Sequence, residues 1–290
     1  EYLRVALEVG QHFHDRFVRA GLTTGGPPDA LQCPDSQSAT ALLESFVVLY
    51  EVTGDAGWIP RATDIAQQVA SWIVSYDFPR RAPVATGAGG ESEIQTTGAV
   101  FANASGRVGS PGFFVQSGDA LFKLYRATGN ISYLELLRDT THNLTQYSVP
   151  ADGPGVRAPE PPASVAPVPV IHRVDSSAWM SATGEVVPAS VPLQVCSMLA
   201  YLEVPGVYVQ PNTAFVFVID HVTVAIKEKT AVRLVLTIKN PTKLEASVRV
   251  VAEHSVDMTK PLGLSALFSA PLVVLAPGEE QDVVFAREPA

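Results

Sequence analysis

Cysteine is scarce: the 290 residues hold only two, Cys33 and Cys196. Two are too few for a disulfide framework or a zinc knuckle, and they read as separate small hydrophobes. Positive charge is also short, with 20 Lys and Arg against 29 Asp and Glu and a formal net charge of −9. That excludes nucleic acid as a partner, because phosphates require a basic stripe, and it disfavours anionic membrane surfaces. No run of about 18 apolar residues occurs, so no helix is expected to span a bilayer. An initiator Met and the apolar stretch of a signal peptide are missing too. The chain opens Glu1-Tyr2-Leu3-Arg4 already in a helical pattern, as though something preceded it. What is present is an ordinary hydrophobic fraction of 47%, which excludes wholesale disorder. At roughly 100–200 residues per domain the length predicts two domains or one large one.

The composition changes near residue 205. Before it, residues 1–204 read as helices separated by long loops, with helical patterns over about 2–20, 38–52, 57–76, 118–127, 132–147 and 193–202. In the first of these, Leu3, Ala6, Leu7, Phe13 and Phe17 form one apolar stripe, and Gly21 stops the helix. After the change, residues 205–290 alternate apolar and polar side chains in short β-branched runs, at 213–220, 221–228, 231–239, 246–253 and 282–285. Turn residues such as Asn240-Pro241-Thr242 separate them, and the pattern predicts an antiparallel β-sandwich. This part lacks a cluster of Trp or Tyr suited to stacking on sugars, so its expected role is packing.

A repeat runs through the helical part. Leu49-Tyr50-Glu51-Val52-Thr53-Gly54-Asp55 lies without gaps over Leu124-Tyr125-Arg126-Ala127-Thr128-Gly129-Asn130. In each copy the glycine suits the left-handed position that ends one helix, and Asp55 or Asn130 is placed to cap the next. Each unit is therefore a helix, a short turn and a second helix. The opening Tyr2-Leu3 resembles Tyr133-Leu134, the start of a second helix, which leaves the first helix of that unit unaccounted for.

These hairpins resemble the six-hairpin (α/α)6-toroid carbohydrate enzymes, whose usual C-terminal β-sandwich also matches the order found here. The resemblance covers about residues 1–204 and is nearest to the bacterial uronide-acting branches, something like glycoside hydrolase family 154, the β-glucuronidase type. It implies a partial toroid, about half a ring, followed by a sandwich. It also implies hydrolysis of an acidic, uronic-acid-containing carbohydrate by carboxylate acid/base chemistry, with no cofactor. A polysaccharide lyase or sugar epimerase on the same ring is one alternative. The other is a non-catalytic assembly module, a homo-oligomer or a chain whose ring a partner completes, for which an exposed apolar flank would be the sign.

In such a ring the long loops, here 21–37, 78–117 and 149–192, lead into the N-termini of the inner helices, where function concentrates. Asp35 and Asp119 are the catalytic candidates, since neighbouring helix axes about 8–10 Å apart permit the two carboxyls that glycoside hydrolysis needs. Capping alone would also explain both residues. The substrate-binding candidates begin with Gln116 beside Asp119 and with Glu91 and Glu93 in the Gly-rich middle of the second loop. In the third loop, His172, Arg173, Asp175 and Trp179 supply a base, a cation for a uronate, an acid and a stacking ring. No metal is expected: His12 and His14 are two residues apart and diverge on a helix. The zinc-cysteine set of toroid arabinofuranosidases has no counterpart, because Ser36-Gln37-Ser38-Ala39 stands where their Glu-Thr-Cys-Ala would.

Overall fold

The computed structural model describes residues 1–23, 33–77, 84–86, 90–92, 96–101, 104, 109–110, 119–145, 204–253, 268–269 and 272–287. Its helices are α1 (Tyr2–Arg16), α2 (Ser36–Thr53), α3 (Trp58–Ser71), α4 (Asp119–Thr128) and α5 (Ser132–Thr145). Two short pairs, β1 (Val84–Thr86) with β2 (Gly90–Ser92) and β3 (Val100–Phe101) with β4 (Gly109–Ser110), fall where a loop was expected.

The repeated turn explains the repeated sequence. Thr53 donates its hydroxyl to the Leu49 carbonyl at 2.6 Å and accepts from the Asp55 N–H at 3.1 Å. Thr128 does the same with Leu124 at 2.7 Å and Asn130 at 3.3 Å. Gly54 (φ 68°) and Gly129 (φ 72°) both adopt the left-handed conformation, which a Cβ would strain. Asp55 and Asn130 then accept from the N–H of Gly57 (2.8 Å) and Ser132 (3.2 Å), opening the second helix. Leu and Tyr of each motif face inward: Leu49, Tyr50, Leu124 and Tyr125 are all buried.

The two hairpins share one core, built on Leu43, Phe46, Ile65, Leu121, Phe122, Leu134 and Leu137. Helix α1 lies against the first hairpin at Gly10, where an added Cβ would stand 2.8 Å from Leu49 Cδ1 and 3.0 Å from the Trp58 ring. His14 Nε2 meets Asp64 Oδ2 at 3.0 Å, and Gln68 donates to the Val18 carbonyl at 2.7 Å, so polar contacts flank that seat.

The strands of the C-terminal part are β5 (Val207–Gln210), β6 (Phe215–Val218), β7 (Thr223–Lys229), β8 (Arg233–Lys239), β9 (Ala246–Val248), β10 (Val250–Ala252), β11 (Phe268–Ser269), β12 (Val273–Leu275) and β13 (Glu280–Ala286). They form a sheet ordered β11-β10-β5-β6, a second ordered β13-β8-β7, and the pair β12-β9. In the first sheet Tyr208 and Val251 belong to the helical core. Their neighbours Val207, Val209, Val250 and Ala252 belong to a second core shared with Leu234, Leu236, Ile238, Leu275 and Phe285. The first sheet thus lies between the helices and the other strands, which is why Val207–Val209 and Val250–Ala252 are buried without alternation.

Two expectations about the fold are corrected here. The described residues do not form a six-hairpin helical toroid or part of one. They hold five α-helices and short strands in small sheets, a mixed α and β arrangement in which a sheet packs directly on the helices. The sheets are not a purely antiparallel sandwich either: β10 runs parallel to β5, pairing Val250 with Val207 and Val251 with Tyr208. The run 246–253, expected as a single strand, breaks at Arg249, so that β9 pairs with β12 while β10 joins β5 and β11. The apolar run 193–202, expected as a helix, lies outside the described residues.

Candidate functional site

Asp35 and Asp119 do stand at helix N-termini, but each is engaged in local structure. Asp35 is the N-cap of α2, accepting from the Ser38 N–H at 2.6 Å and the Ser38 hydroxyl at 2.8 Å, and it is buried. An extended residue before a helix with its oxygen on the third N–H is what capping requires. Asp119, also buried, pairs with Lys123 at 2.9 Å, and the same ammonium reaches Glu51 at 3.0 Å. Burial alone would lower the Lys123 pKa. The two carboxylates outweigh it and hold the ammonium charged, above its ordinary value.

This triad also sets a distance. Lys123 brings Asp119 to within about 6 Å of Glu51, which follows Asp35 by sixteen residues, or about 24 Å of helix axis. The two aspartates are therefore more than about 10 Å apart, beyond the separations of about 5–9.5 Å used in glycoside hydrolysis. The structure does not bring them together as a catalytic pair. Helix α4 begins part-way down α2, with Asp119 near Glu51 rather than near Asp35.

Of the substrate-binding candidates, Glu91 lies in β2 opposite Ala85, described by its backbone alone. Gln116, Glu93, His172, Arg173, Asp175 and Trp179 lie outside the described residues. Among the described residues no group of three or more His, Cys, Asp or Glu is placed to hold a metal, and no helix is long and apolar enough to cross a membrane. His14 is used between α1 and α3 through Asp64.

A buried polar network, not anticipated from the sequence, joins α4 to the sheet. Arg126 donates to both oxygens of Glu253, with Nε at 3.0 Å from Oε2, and Tyr208 donates its hydroxyl to the same carboxylate. Gln210 donates to the Tyr208 oxygen at 3.1 Å and to that of Tyr125 at 3.4 Å. Burial and the Glu253 charge push the Tyr208 phenol above its ordinary pKa, so it stays protonated and donating. With Arg126 and Glu253 both out of solvent, this is a satisfied structural tie rather than a reactive centre.

The feature that local structure leaves unexplained is the outer face of α1. Tyr2, Val5, Val9 and Phe13, spaced by three and four, are 93%, 44%, 46% and 38% exposed. The opposite face, with Leu7, Gly10, Gln11 and His14, is the one packed on α2 and α3. The single stripe expected here is thus divided: Leu7 packs inward and Phe13 lies in the outer row, while Leu3, one turn before Leu7 on the packed side, is 45% exposed at the end of the helix. A helix apolar on two opposite faces is built to lie between layers. The helical wheel carries this signal, since Val5 and Val9 sit far round from Leu7. No family model matches the chain, and neither the curated proteins nor the solved structures contain a match to it.

Proposed function

We propose that this chain acts as an assembly module that self-associates through the outer face of α1. The observation that carries it is the exposed row Tyr2, Val5, Val9 and Phe13 on a helix whose inner face is already packed. The occupant is α1 of a second copy, because the face is self-complementary. An antiparallel pairing with the twofold axis at Val9 sets Val5 against Phe13, Tyr2 against Arg16, and Glu1 near the same Arg16. One helix pair buries less than the roughly 800 Å² per partner of a standard interface, so association is expected in the micromolar range. The net charge of −9 on each copy opposes it, and added salt strengthens it. Analytical ultracentrifugation over a concentration series tests this. A monomer–dimer equilibrium that Val9→Glu abolishes is the expected result; the far-UV spectrum is unchanged because Val9 faces outward. A wild-type chain that is monomeric throughout, or a dimer indifferent to Val9→Glu, rejects the reading.

A second reading is favoured by the matched Leu-Tyr-x-x-Thr-Gly turns, which are alike bond for bond as well as in sequence. They support the resemblance to carbohydrate enzymes at the level of the local turn alone, since the described residues form no toroid, and hydrolysis of uronic-acid-containing carbohydrates is the activity that resemblance implies. Release of the aryl group from aryl-glucuronides tests it. Unsaturated products absorbing in the ultraviolet would point instead to the lyase alternative, for which His172 and Arg173 are the residues to replace.

A further inference from the structure

The helices meet the first sheet through two different chemistries. At α4 the contact is the buried pair of Arg126 with Glu253. At α5 it is a pair of imidazoles: the ring of His142 stacks on that of His221, in the corner 219–222 that follows β6, with centroids 4.2 Å apart and planes 21° from parallel. We propose that this stack is a clasp, closed at neutral pH, that opens locally in mild acid and frees the last turn of α5 from the sheet while the α4 tie holds.

The last turn of α5 is packed unequally on its two sides. Against residues 96–101 it is tight: an added Cβ at Gly98 would stand 1.9 Å from the Asp139 carbonyl oxygen, and Asn143 donates its Nδ2 to the Thr97 carbonyl at 2.9 Å. Toward the sheet, Thr141, next to His142, lines a cavity of about 370 Å³ together with Gly206, Ile219 and Asp220. Where packing leaves that gap, the ring pair carries the contact. The rest of α5 is anchored separately, by Leu134 and Leu137 in the helical core and by Arg138, which lies over the Phe217 ring of β6 at 5.6 Å. Loss of the stack can therefore release the end of the helix without releasing its start.

Protonation works against this contact. Stacking sets the rings face to face, so their nitrogens lie side by side and a proton gained by one makes no hydrogen bond to the other. Burial removes the water that would solvate a His142 imidazolium, and the His221 ring adds to that. The backbone carbonyls of Ile219 and Asp220 favour the proton and Arg138 opposes it, and the balance keeps the His142 pKa below its ordinary 6.5. Among the described residues the other charged groups at the joint are held elsewhere or stand across the cavity. Asp139 pairs with Arg138 at 2.9 Å, the Asp220 carboxylate accepts from the His221 N–H at 2.7 Å, Asp77 accepts from the N–H groups of Thr96 and Thr97, and Arg249 lines the cavity. An open last turn returns His142 to water, where it takes up a proton below about pH 6.5, so the open form gains on the closed one as pH falls. The Arg126 guanidinium keeps its charge throughout that range.

Amide hydrogen exchange of the full chain tests this, read residue by residue from about pH 7.5 to about pH 5 and corrected for the intrinsic pH dependence of exchange. The amides of Thr141, His142 and Asn143 should lose protection by up to about tenfold per pH unit below about 6.5, while those of Leu124 in α4 and Leu236 in β8 hold. His142→Phe, which keeps a planar ring and takes up no proton, should remove that loss. In the wild type, protection should stop falling at the pH where the His142 ring resonances reach their titration midpoint, which keeps the test decisive if the variant does not fold. Unchanged protection of the three α5 amides across this range overturns the proposal. So does an equal loss at Leu124 and Leu236, which is global unfolding, or a loss that survives in His142→Phe. A His142 ring with its midpoint at or above about pH 6.5 overturns it as well. None of these outcomes depends on self-association through α1 or on hydrolysis of a carbohydrate.

Discussion

Helices α1 and α5 carry the same Tyr-Leu dipeptide in their first turn and treat it in opposite ways. Tyr133 and Leu134 at the start of α5 are 6% and 0% exposed, while Tyr2 and Leu3 at the start of α1 are 93% and 45% exposed. The difference is the neighbour. Helix α4 turns back over α5 through Gly129 and covers its first turn, and α4 is itself tied to the sheet by Arg126 and Glu253. Among the described residues helix α1 has only the first hairpin beneath it, seated at Gly10. Burial is thus a property of the layer a helix occupies, and the dipeptide alone does not decide it.

Three measurements would break or sharpen that comparison. The largest effect is expected from Arg126→Met, which leaves Glu253 buried without its cation and should lower unfolding free energy by about 3–5 kcal/mol in denaturant titration. Replacing both partners by apolar residues should recover much of that loss, and a single variant as stable as wild type would show that α4 is not held by this pair. Next, Leu134→Ala should cost about 2–5 kcal/mol by opening a cavity, whereas Leu3→Ala should cost less than about 0.5 kcal/mol. Comparable costs at the two positions would mean that the first turn of α1 is covered in solution as that of α5 is.

The smallest effect concerns pH at the junction of α5 with the sheet. The folded-state pKa of His142 is depressed below 6.5, first by burial and then by His221. The unfolded chain therefore takes up a proton that the folded chain refuses. This contribution to stability is present above about pH 6.5 and is lost as pH falls through that value toward the folded pKa. The melting temperature should decline between about pH 7 and pH 5, and His142→Gln should flatten that decline. Asp77 loses its contribution only at lower pH, because the backbone N–H groups of Thr97 and Thr96 hold its carboxyl below the ordinary aspartate value. An identical decline in the variant would remove His142 from the account.

The parts of the fold legible in the sequence are those whose physics is local. The hairpin turns could be read because left-handed glycine, a backbonding threonine and a capping Asp or Asn all act within seven consecutive residues. Asp35 as a cap was legible for the same reason. The break at Arg249 was not: residues 246–249 alternate and 250–252 are apolar in succession, but only pairing with β12 and with β5 assigns the two halves to different sheets. The Arg126–Glu253 pair spans 127 residues, so no spacing rule could couple them.

The candidate catalytic pair failed for a related reason. Two aspartates that each open a helix look equivalent along the chain, but their separation depends on how far α4 is displaced along α2, which the contacts of Lys123 with Glu51 and Asp119 report. By itself the sequence determined the five described helices, the hairpin turns between them and the Asp35 cap, and the strand-forming character of the described residues after 205, because these depend on neighbours within a turn or a strand. The tertiary structure alone decided that a sheet with a parallel pair packs on the helices, that one face of α1 is exposed among the described residues, and that residues 246–253 divide at Arg249. Each of these depends on which buried surfaces find one another across the chain, and hydrophobic burial, being non-directional, leaves that choice to the packing of the whole.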